Sequence, residues 1–170
     1  MKEIKVGKTR VAIVDDADYE AVAAFKWSFT GRYACRHCSG YAILMHRALL
    51  ECPDDKEVDH INGDGLDNRR VNLRVCTRLE NAKNRGKSGH NTSGYCGVYF
   101  DQFGVTEGRK FVRAKPWRAE LNANKKRYRL GYFFSPVDAA RAYDKAALEH
   151  HGAFARLNFP VPGAFAFLRS

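Results

Sequence analysis

The sequence contains no apolar run that approaches the ~18 to 20 residues of a membrane-spanning helix. Its first residues, MKEIKVGKTRVAIV, also lack the apolar stretch and the small-residue cleavage site of a secretory signal. Cysteine is scarce and odd in number, with 5 residues in 170, which argues against a disulfide framework. We therefore expect a cytoplasmic protein with reduced thiols and no membrane partner.

Acidic residues are few relative to basic ones. The chain holds 29 Lys and Arg against 19 Asp and Glu, a formal net charge of +10. Residues 69–129 alone carry 16 basic and 4 acidic side chains, interleaved with aromatic residues. Because 45% of the residues are hydrophobic, the chain should fold. A basic block within folded segments favours a nucleic-acid surface over a solvated arm.

One stretch has the composition of a linker. Residues 84–94, NRGKSGHNTSG, contain Gly, Ser and Asn but no apolar side chain. The stretch predicts a first domain at 1–85, a linker at 86–92 and a second domain at 93–160. A tail at 161–170 follows.

Two segments of the first domain have strand or helix patterns. Arg10–Val14 is rich in β-formers and predicts a strand, whereas Tyr41–Leu50 fits either a strand or a helix with apolar faces. The four polar residues Asn62, Asp64, Asp67 and Asn68 are turn formers by default.

The second domain has a hairpin pattern followed by a helix pattern. Alternation over residues 117–130 predicts two strands with one apolar and one largely basic face. The basic face carries Arg118, Glu120, Asn122, Arg127 and Arg129. Ser135 and Pro136 predict the start of a helix that runs to about His150 and ends at Gly152. The aromatic residues predicted for the core are Trp117, Tyr128, Phe133 and Tyr143.

The segment from Val58 to Asn84 holds residues that suit phosphodiester cleavage. This reaction needs a base that activates water and a hard divalent cation that stabilises charge on the phosphate. Asp59 and Asn81 offer the oxygen donors that magnesium or manganese prefers, and His60 offers a base. Adjacent residues of a strand face apart, so His60 would point to the side of the strand opposite Asp59. The pattern leaves open whether the strand end twists or the substrate lies between the two side chains.

Three motifs in this segment are D-H-I-N-G at 59–63, D-N-R-R-V-N-L-R at 67–74 and E-N at 80–81. Their order and spacing resemble the HNH nuclease motif of phage homing endonucleases. The resemblance implies a ββα-metal nuclease domain, with its core motif at 46–84 and extra strands before it.

The same resemblance implies a role for each site residue. His60 would be the general base, Asp59 and Asn81 would bind one Mg²⁺ that Mn²⁺ could replace, and Asn72 would pin the loop between strand and helix. Asn81 stands where many HNH enzymes carry a final His, although a subgroup of phage enzymes has Asn there. His46 is expected to contact phosphate, to lie behind the site or to pack in the core. The arginines expected to contact DNA here are Arg69, Arg70 and Arg74.

The second domain resembles the AP2 DNA-binding domain. The motifs that carry this resemblance are Y-x-G-V at 95–98, W-R-A-E-L at 117–121, L-G-Y-F at 130–133, A-A-R-A-Y-D-x-A-A at 139–147 and L-N-F at 157–159. The AP2 fold implies a three-stranded antiparallel sheet packed on one helix, with the sheet in the DNA major groove. The expected contacts are Tyr99, Arg118, Glu120, Arg127 and Arg129.

The segment from Phe100 to Pro116 is a much longer loop than AP2 domains have. Four basic residues of this loop are expected to contact phosphates: Arg109, Lys110, Arg113 and Lys115.

The sequence thus predicts an α+β protein that acts as a metal-dependent HNH endonuclease of the homing type on double-stranded DNA. It would work as a monomer or homodimer without another protein partner, in the host cytoplasm if a phage encodes it. The alternative is a non-catalytic DNA-binding regulator with a relic HNH scaffold. An RNA-binding protein ranks last, because Trp117 and Tyr128 fall on the face opposite the basic residues. Cys35 and Cys38 have zinc-knuckle spacing but no second pair, so no structural zinc is expected.

Overall fold

The computed structural model describes residues 1–84, 86 and 91–160. These residues belong to two units, Met1–Asn84 and Arg85–Ser170. The predicted tail at 161–170 and residues 87–90 of the predicted linker lie outside the described residues. Both units are mixed α/β, with small antiparallel sheets and few helices among the described residues. The α+β prediction is confirmed at this level.

The N-terminal unit contains paired strands and short helices. In chain order they are β1 Lys2–Val6, β2 Arg10–Val14, α1 Tyr19–Ala23, β3 Ser28–Phe29, β4 Ala34–Cys38, β5 Tyr41–Leu44, α2 Met45–Leu49, β6 Glu57–His60, β7 Leu73–Cys76 and α3 Arg78–Lys83. The antiparallel sheets within residues 1–84 are β1-β2, β3-β4-β5 and β6-β7. Alternate residues of β1 and β2 enter a core with Trp27 and Met45.

Both local predictions for this unit can be compared with these bounds. Arg10–Val14 is strand β2, as predicted. Tyr41–Leu50 contains both alternatives in succession, because β5 pairs with β4 and the chain then turns into α2 at Met45.

The described part of the C-terminal unit contains a three-stranded sheet, a two-stranded hairpin and one long helix. Its elements are β8 Val98–Phe100, β9 Phe103–Thr106, β10 Arg109–Val112, β11 Trp117–Ala123, β12 Lys126–Phe133 and α4 Pro136–His151. The sheet order is β12-β11-β8, and every pair is antiparallel. Small residues of α4 pack on this sheet together with Tyr143. The core prediction is confirmed, because Trp117, Tyr128 and Phe133 also pack against these residues.

Local signals set both ends of α4. The Ser135 hydroxyl accepts a hydrogen bond from the backbone N–H of Asp138 at 3.1 Å, and Pro136 occupies the first turn. Gly152 follows the last turn at φ +57°, a backbone conformation that costs glycine little. The predicted helix is confirmed, within one residue at its C-terminal end.

A β-bulge in the hairpin reverses the side-chain alternation of β12. Ala119 pairs with Gly131 and Glu120 pairs with Arg129, so Leu130 is the extra residue. Gly131 adopts φ +120° at this bulge, which L side chains rarely adopt. As a result Phe133 faces the core, and Tyr132 lies beside Arg118 on the opposite face.

The segment from Phe100 to Pro116 differs from the predicted loop. It contains β9 and β10, which pair in register from Phe103 and Val112 to Thr106 and Arg109. The connecting residues Glu107 and Gly108 both have positive φ, +49° and +76°, as in the two-residue turns that join antiparallel strands. The long segment predicted as a loop therefore contains a hairpin of its own. Within the described residues, no helix has the length and apolar character needed to cross a membrane.

Candidate functional site

Strands β6 and β7 place Asp59 and His60 on opposite faces of one short hairpin. Asp59 lies opposite Arg74 in β7, and His60 lies opposite Leu73. Because strand side chains alternate, Glu57 and Asp59 face one side, whereas His60 faces the other. Both Asp59 and His60 are buried.

The Asp59 carboxylate is held by two side chains. Arg74 donates to Asp59 Oδ2 through Nε at 2.8 Å and also through Nη2. The Asn84 amide nitrogen Nδ2 lies 2.9 Å from Asp59 Oδ1 and 3.0 Å from Oδ2. A buried carboxylate needs such partners, because an isolated charge in the protein interior is costly.

Helix α3 brings its asparagines to the same face of β6. Thr77 begins this helix with a capping box, in which its hydroxyl accepts from Glu80 N–H and the Glu80 carboxylate accepts from Thr77 N–H. One turn later, Asn81 Nδ2 donates to Glu57 Oε2 at 2.7 Å. Asn84 is the C-cap residue of α3 and follows Asn81 by three residues. Both side chains therefore lie on the side of α3 that faces β6, where they meet Glu57 and Asp59 respectively.

On the other face of β6, His60 packs among rings. Its ring stacks on Tyr33 with a centroid separation of 5.6 Å and meets His46 edge-on at 4.8 Å. Gly65 permits the close approach of Tyr33, because a Cβ at residue 65 would overlap with the Tyr33 ring and with the Arg32 carbonyl. Tyr33 is thus wedged between the loop after β6 and the two histidines.

Asn68 determines which His60 nitrogen carries the hydrogen. The Asn68 amide nitrogen donates to the Leu66 carbonyl at 3.1 Å, and its oxygen lies 3.4 Å from His60 Nε2. An amide oxygen only accepts hydrogen bonds, so His60 Nε2 is the donor and Nδ1 keeps the lone pair. Burial lowers the pKa of His60 below its ordinary value of 6.5, against the opposing effects of the Asn68 hydrogen bond and the Asp59 charge. His60 is therefore neutral at pH 7 and able to accept a proton.

His46 is also neutral at this pH. Burial, followed by the proximity of His60 and Arg47, lowers the pKa of His46 from 6.5 to about 3. Its Nδ1 is buried and has no hydrogen-bond partner among the residues that the structure describes, and its ring also contacts Tyr33 at 4.9 Å. The structure thus places His46 behind His60 as a packed, uncharged ring.

Asn72 ties together the loop that follows β6. Its side-chain oxygen accepts from Asn62 N–H at 3.0 Å, and its Nδ2 donates to the Asp67 carbonyl at 2.7 Å. The backbone carbonyl of Asn72 also accepts from Ile61 N–H at 2.9 Å. Through these contacts Asn72 connects both ends of the loop, as a residue that pins the loop would.

The three arginines expected to contact DNA in this unit are paired within it. Arg69 donates to both oxygens of Asp67, at 2.7 and 2.6 Å, and these contacts raise the pKa of Arg69. Arg70 binds Asp18 in the same two-pronged way. With Arg74 on Asp59, each of these cations is offset by a carboxylate, and their contact with DNA stays a prediction.

On the face of the C-terminal sheet that points away from α4, arginines outnumber carboxylates. Glu120, with only 8% of its side chain exposed, lies between Arg118, Arg127 and Arg129 at 3.3, 4.0 and 3.9 Å. The side chains of Arg127 and Arg129 are 62% and 79% exposed. This face therefore presents accessible cations around one buried carboxylate.

Two tyrosines lie among these arginines. Tyr99 of β8 is exposed under the Arg118 guanidinium at 5.5 Å. The Tyr132 hydroxyl donates to Asp101 at 3.2 Å, and the Arg113 guanidinium lies 4.2 Å from the ring centroid of Tyr132. Arg113 follows β10, so it joins the β9-β10 hairpin to this basic face.

Comparisons with known proteins match both units. The model of a family described as HNH endonuclease matches residues 51–83. In the C-terminal part, the chain is 48% identical over 58 residues to ethylene-responsive transcription factor 3 of Nicotiana tabacum. The two matches support an HNH plus AP2 architecture. The second match covers 31% of this chain and about a quarter of the relative, 26% of its length. No solved structure matches the chain significantly.

Within the HNH segment, the structure brings some predicted residues together and separates others. Asp59 and His60 adjoin along β6 but face apart, and Asn81 hydrogen-bonds Glu57, not Asp59. The shared metal site of Asp59 and Asn81 stays a prediction.

Sequence reasoning missed two residues of the HNH segment and one nearby ring. Asn84 could have been found from its i+3 spacing to Asn81. Asn68 was interpreted as a turn former only. No sequence signal points to Tyr33, which lies far from the motif and reaches His60 through the fold.

The donor chemistry of the HNH segment fits a hard divalent cation. Among residues 1–84, 86 and 91–160, no group of three or more His, Cys, Asp and Glu could hold a metal. A site of one carboxylate and one amide oxygen leaves most ligand positions to water and phosphate, as is usual for magnesium. Asp59 supplies the carboxylate, and the amide nitrogen of Asn81 is used by Glu57, so its oxygen is the end available to a cation. Cys35 and Cys38 are free thiols on β4.

Proposed function

We propose that this chain is a metal-dependent DNA endonuclease of the HNH homing type. The observation that carries the proposal is the neutral, oriented His60 next to the buried Asp59 carboxylate, at the end of β6 and within the segment that matches the HNH endonuclease family. In this proposal β6, β7 and α3 form the ββα-metal motif. The domain is assigned to 1–85, with its core at 46–84.

The reaction proposed for the N-terminal domain is hydrolysis of a phosphodiester. His60 Nδ1 accepts a proton from water, the water oxygen forms a bond to phosphorus, and the bond from phosphorus to the 3′ oxygen breaks in line. The leaving oxygen takes a proton from solvent water, which gives 5′-phosphate and 3′-hydroxyl ends, and His60 later returns its proton to solvent. Asp59 and Asn81 would hold Mg²⁺, or Mn²⁺ in its place, which when bound stabilises negative charge on the phosphate and the leaving oxygen.

The surroundings of His60 support its role as the base. Asn68 keeps Nε2 protonated, so that the lone pair lies on Nδ1. The rings of Tyr33 and His46 hold the imidazole plane. Because His60 has a lowered pKa, it stays unprotonated through the neutral range, as a general base must.

The C-terminal domain, 93–160, is proposed to dock the enzyme on double-stranded DNA with the AP2 arrangement of sheet on helix. Its exposed arginines, Arg127 and Arg129, suit phosphate or guanine contacts, because a β-ribbon fits the major groove. Tyr99, Arg118 and Glu120 complete this face in the proposal. Residues 86–92 would be the linker. A monomer with one such site would cut one strand, and a homodimer could cut both.

The proposal is tested by nicking of supercoiled plasmid with Mg²⁺ or with EDTA. We expect the wild-type chain to convert supercoiled to open-circular or linear plasmid only with the metal. His60→Ala should abolish conversion but leave binding of a labelled duplex within about twofold. His37→Ala is the matched control, because His37 is exposed on β4.

Three outcomes would contradict the proposal. Cleavage by His60→Ala at the wild-type rate would remove His60 as the base. Tight duplex binding by the wild-type chain with no cleavage in Mg²⁺ or Mn²⁺ would favour the DNA-binding regulator. Preference for RNA in competition with duplex DNA would overturn the choice of partner.

A further inference from the structure

The side chain of Asn84 contacts several groups of the proposed active site. It is buried, and its Nδ2 lies within hydrogen-bond distance of four oxygens. Two belong to the Asp59 carboxylate, at 2.9 and 3.0 Å. The others are the backbone carbonyls of His60 at 2.9 Å and Ile61 at 3.4 Å.

These contacts tie together the two faces of β6. The Asp59 side chain points toward α3, whereas the His60 side chain points away from it, but the His60 carbonyl faces Asn84. An amide nitrogen has two hydrogens, so one can serve the carboxylate and the other the carbonyl. Asn84 thus couples the orientation of Asp59 to the backbone that carries His60.

Asn84 is also joined to the helix that carries Asn81. Its backbone N–H donates to the Asn81 carbonyl at 3.2 Å, at the C-terminal end of α3. The residues proposed to hold the cation therefore both connect to Asn84, one through its side chain and one through its backbone.

The carboxylate needs such a restraint. The torsion that turns an Asp carboxylate is broad and is not held by a single staggered minimum. Arg74 donates to Asp59 Oδ2 through Nε and Nη2, whereas Asn84 reaches both oxygens. Loss of Asn84 would remove its contacts with both oxygens, so the Asp59 carboxylate could turn toward Arg74.

We infer that Asn84 is a positioning residue that fixes the Asp59 carboxylate relative to His60 and thereby sets the affinity of the site for a divalent cation. The inference rests on the proposed nuclease function. Partners that orient a metal ligand typically contribute about 10- to 100-fold to metal affinity or activity. Asn84→Ala should therefore weaken cation binding by about tenfold or more.

A purely structural role for Asn84 makes a different prediction. If Asn84 only stabilised α3, another substitution that destabilises this helix to the same extent would weaken cation binding equally. Thr77→Ala provides this comparison, because it removes the capping box at the other end of α3 and does not touch Asp59.

The experiment measures Mn²⁺ binding to the full-length chain by electron paramagnetic resonance, without DNA. Nicking against Mg²⁺ concentration and the urea midpoint are measured on the same samples. We expect Asn84→Ala to raise the Mn²⁺ dissociation constant and the half-saturating Mg²⁺ concentration about tenfold, and Thr77→Ala to change both less than about twofold. Asn84→Ser keeps a smaller donor and should lie between Asn84→Ala and wild type. If Asn84→Ala does not fold, the Mn²⁺ affinity of Asn84→Ser is compared with wild type instead.

The outcomes separate this inference from the proposed function. Wild-type Mn²⁺ affinity in Asn84→Ala and Asn84→Ser, or an equal shift in Thr77→Ala, overturns the positioning role and leaves the nuclease proposal intact. A wild-type chain that binds duplex DNA but neither binds Mn²⁺ nor nicks the plasmid overturns both.

Discussion

Replacing His46 should make the N-terminal unit less sensitive to acid. His46 is neutral in the folded chain because burial lowers its pKa from 6.5 to about 3. In the unfolded chain it titrates near its ordinary value. Below pH 6.5 His46 is protonated in the unfolded state but not in the folded state. The free energy of unfolding therefore falls as the pH falls from 6.5 toward 3.

The size of this effect follows from the two pKa values. Between about pH 8 and about pH 5, the unfolded chain gains about 2 kcal/mol from protonating this one imidazole, while folded His46 stays neutral. His46→Phe keeps a ring against Tyr33 and His60 but removes the titration. We therefore expect the variant to lose about 2 kcal/mol less stability than wild type over this range.

Urea unfolding followed by tryptophan fluorescence measures the effect. The chain has two tryptophans, so a Trp117→Phe background leaves buried Trp27 of the N-terminal core to report on this unit. His37→Phe is the control, because His37 is exposed on β4. A His46→Phe variant that loses as much stability in acid as wild type would refute a neutral buried His46.

Three further predictions concern other parts of the chain. Gly97→Ala should destabilise the C-terminal unit by about 2 kcal/mol or more, because Gly97 has φ +66° and a Cβ there would overlap with the Tyr143 ring. The urea midpoint of this unit measures the effect, and an unchanged midpoint would count against that packing. In duplex-binding titrations, affinity falls with salt, and Arg129→Ala should make the slope of log affinity against log salt less negative by about 0.9. Lys145→Ala, on the exposed side of α4, should leave this slope unchanged, and equal slopes for both variants would argue against the basic face as the DNA surface. The nicking rate should fall only below about pH 6.5, because protonation inactivates the general base His60, whose pKa is lowered from 6.5. A rate that already falls with decreasing pH above pH 7 would contradict the lowered pKa of His60.

The parts of the fold that the sequence predicted well depend on local chemistry. Helix α4 begins and ends where Ser135 and Gly152 dictate, with no information from distant residues. Tyr41–Leu50 could not be assigned, because its division into β5 and α2 is decided by pairing of Leu44 with Cys35 of β4. The β9-β10 hairpin was missed because its turn, Glu107-Gly108, lacks the Asn-Gly or Asp-Gly pair that usually announces such turns.

The candidate site shows the same limit. Strand alternation correctly places Asp59 and His60 on opposite faces of β6. The position of α3 above the strand is a tertiary property, however, and it decides that Asn84 meets Asp59 while Asn81 meets Glu57. The bulge at Gly131 likewise moves Tyr132 to the basic face, which strict alternation would place on the other side.

Charge is the property that sequence counting described least well in the N-terminal unit. Residues 1–84 hold 14 basic and 13 acidic side chains, whereas residues 85–170 hold 15 and 6. A count cannot show that Arg70 is bound by Asp18, 52 residues earlier in the chain. The pairing of these groups is visible only once the chain is folded.

The internally neutralised arginines of the N-terminal unit affect how a nuclease built this way would behave in a cell. A unit with a formal excess of only +1 in residues 1–84 has little long-range attraction for DNA, so it would collide with chromosomal phosphates no more often than an ordinary protein. Its encounter with a scissile bond would then depend on tethering, because a docked neighbouring domain holds it at an effective concentration of about a millimolar. In the proposed nuclease, cutting would thus be confined to the vicinity of docking sites, which would limit cleavage in the rest of the genome.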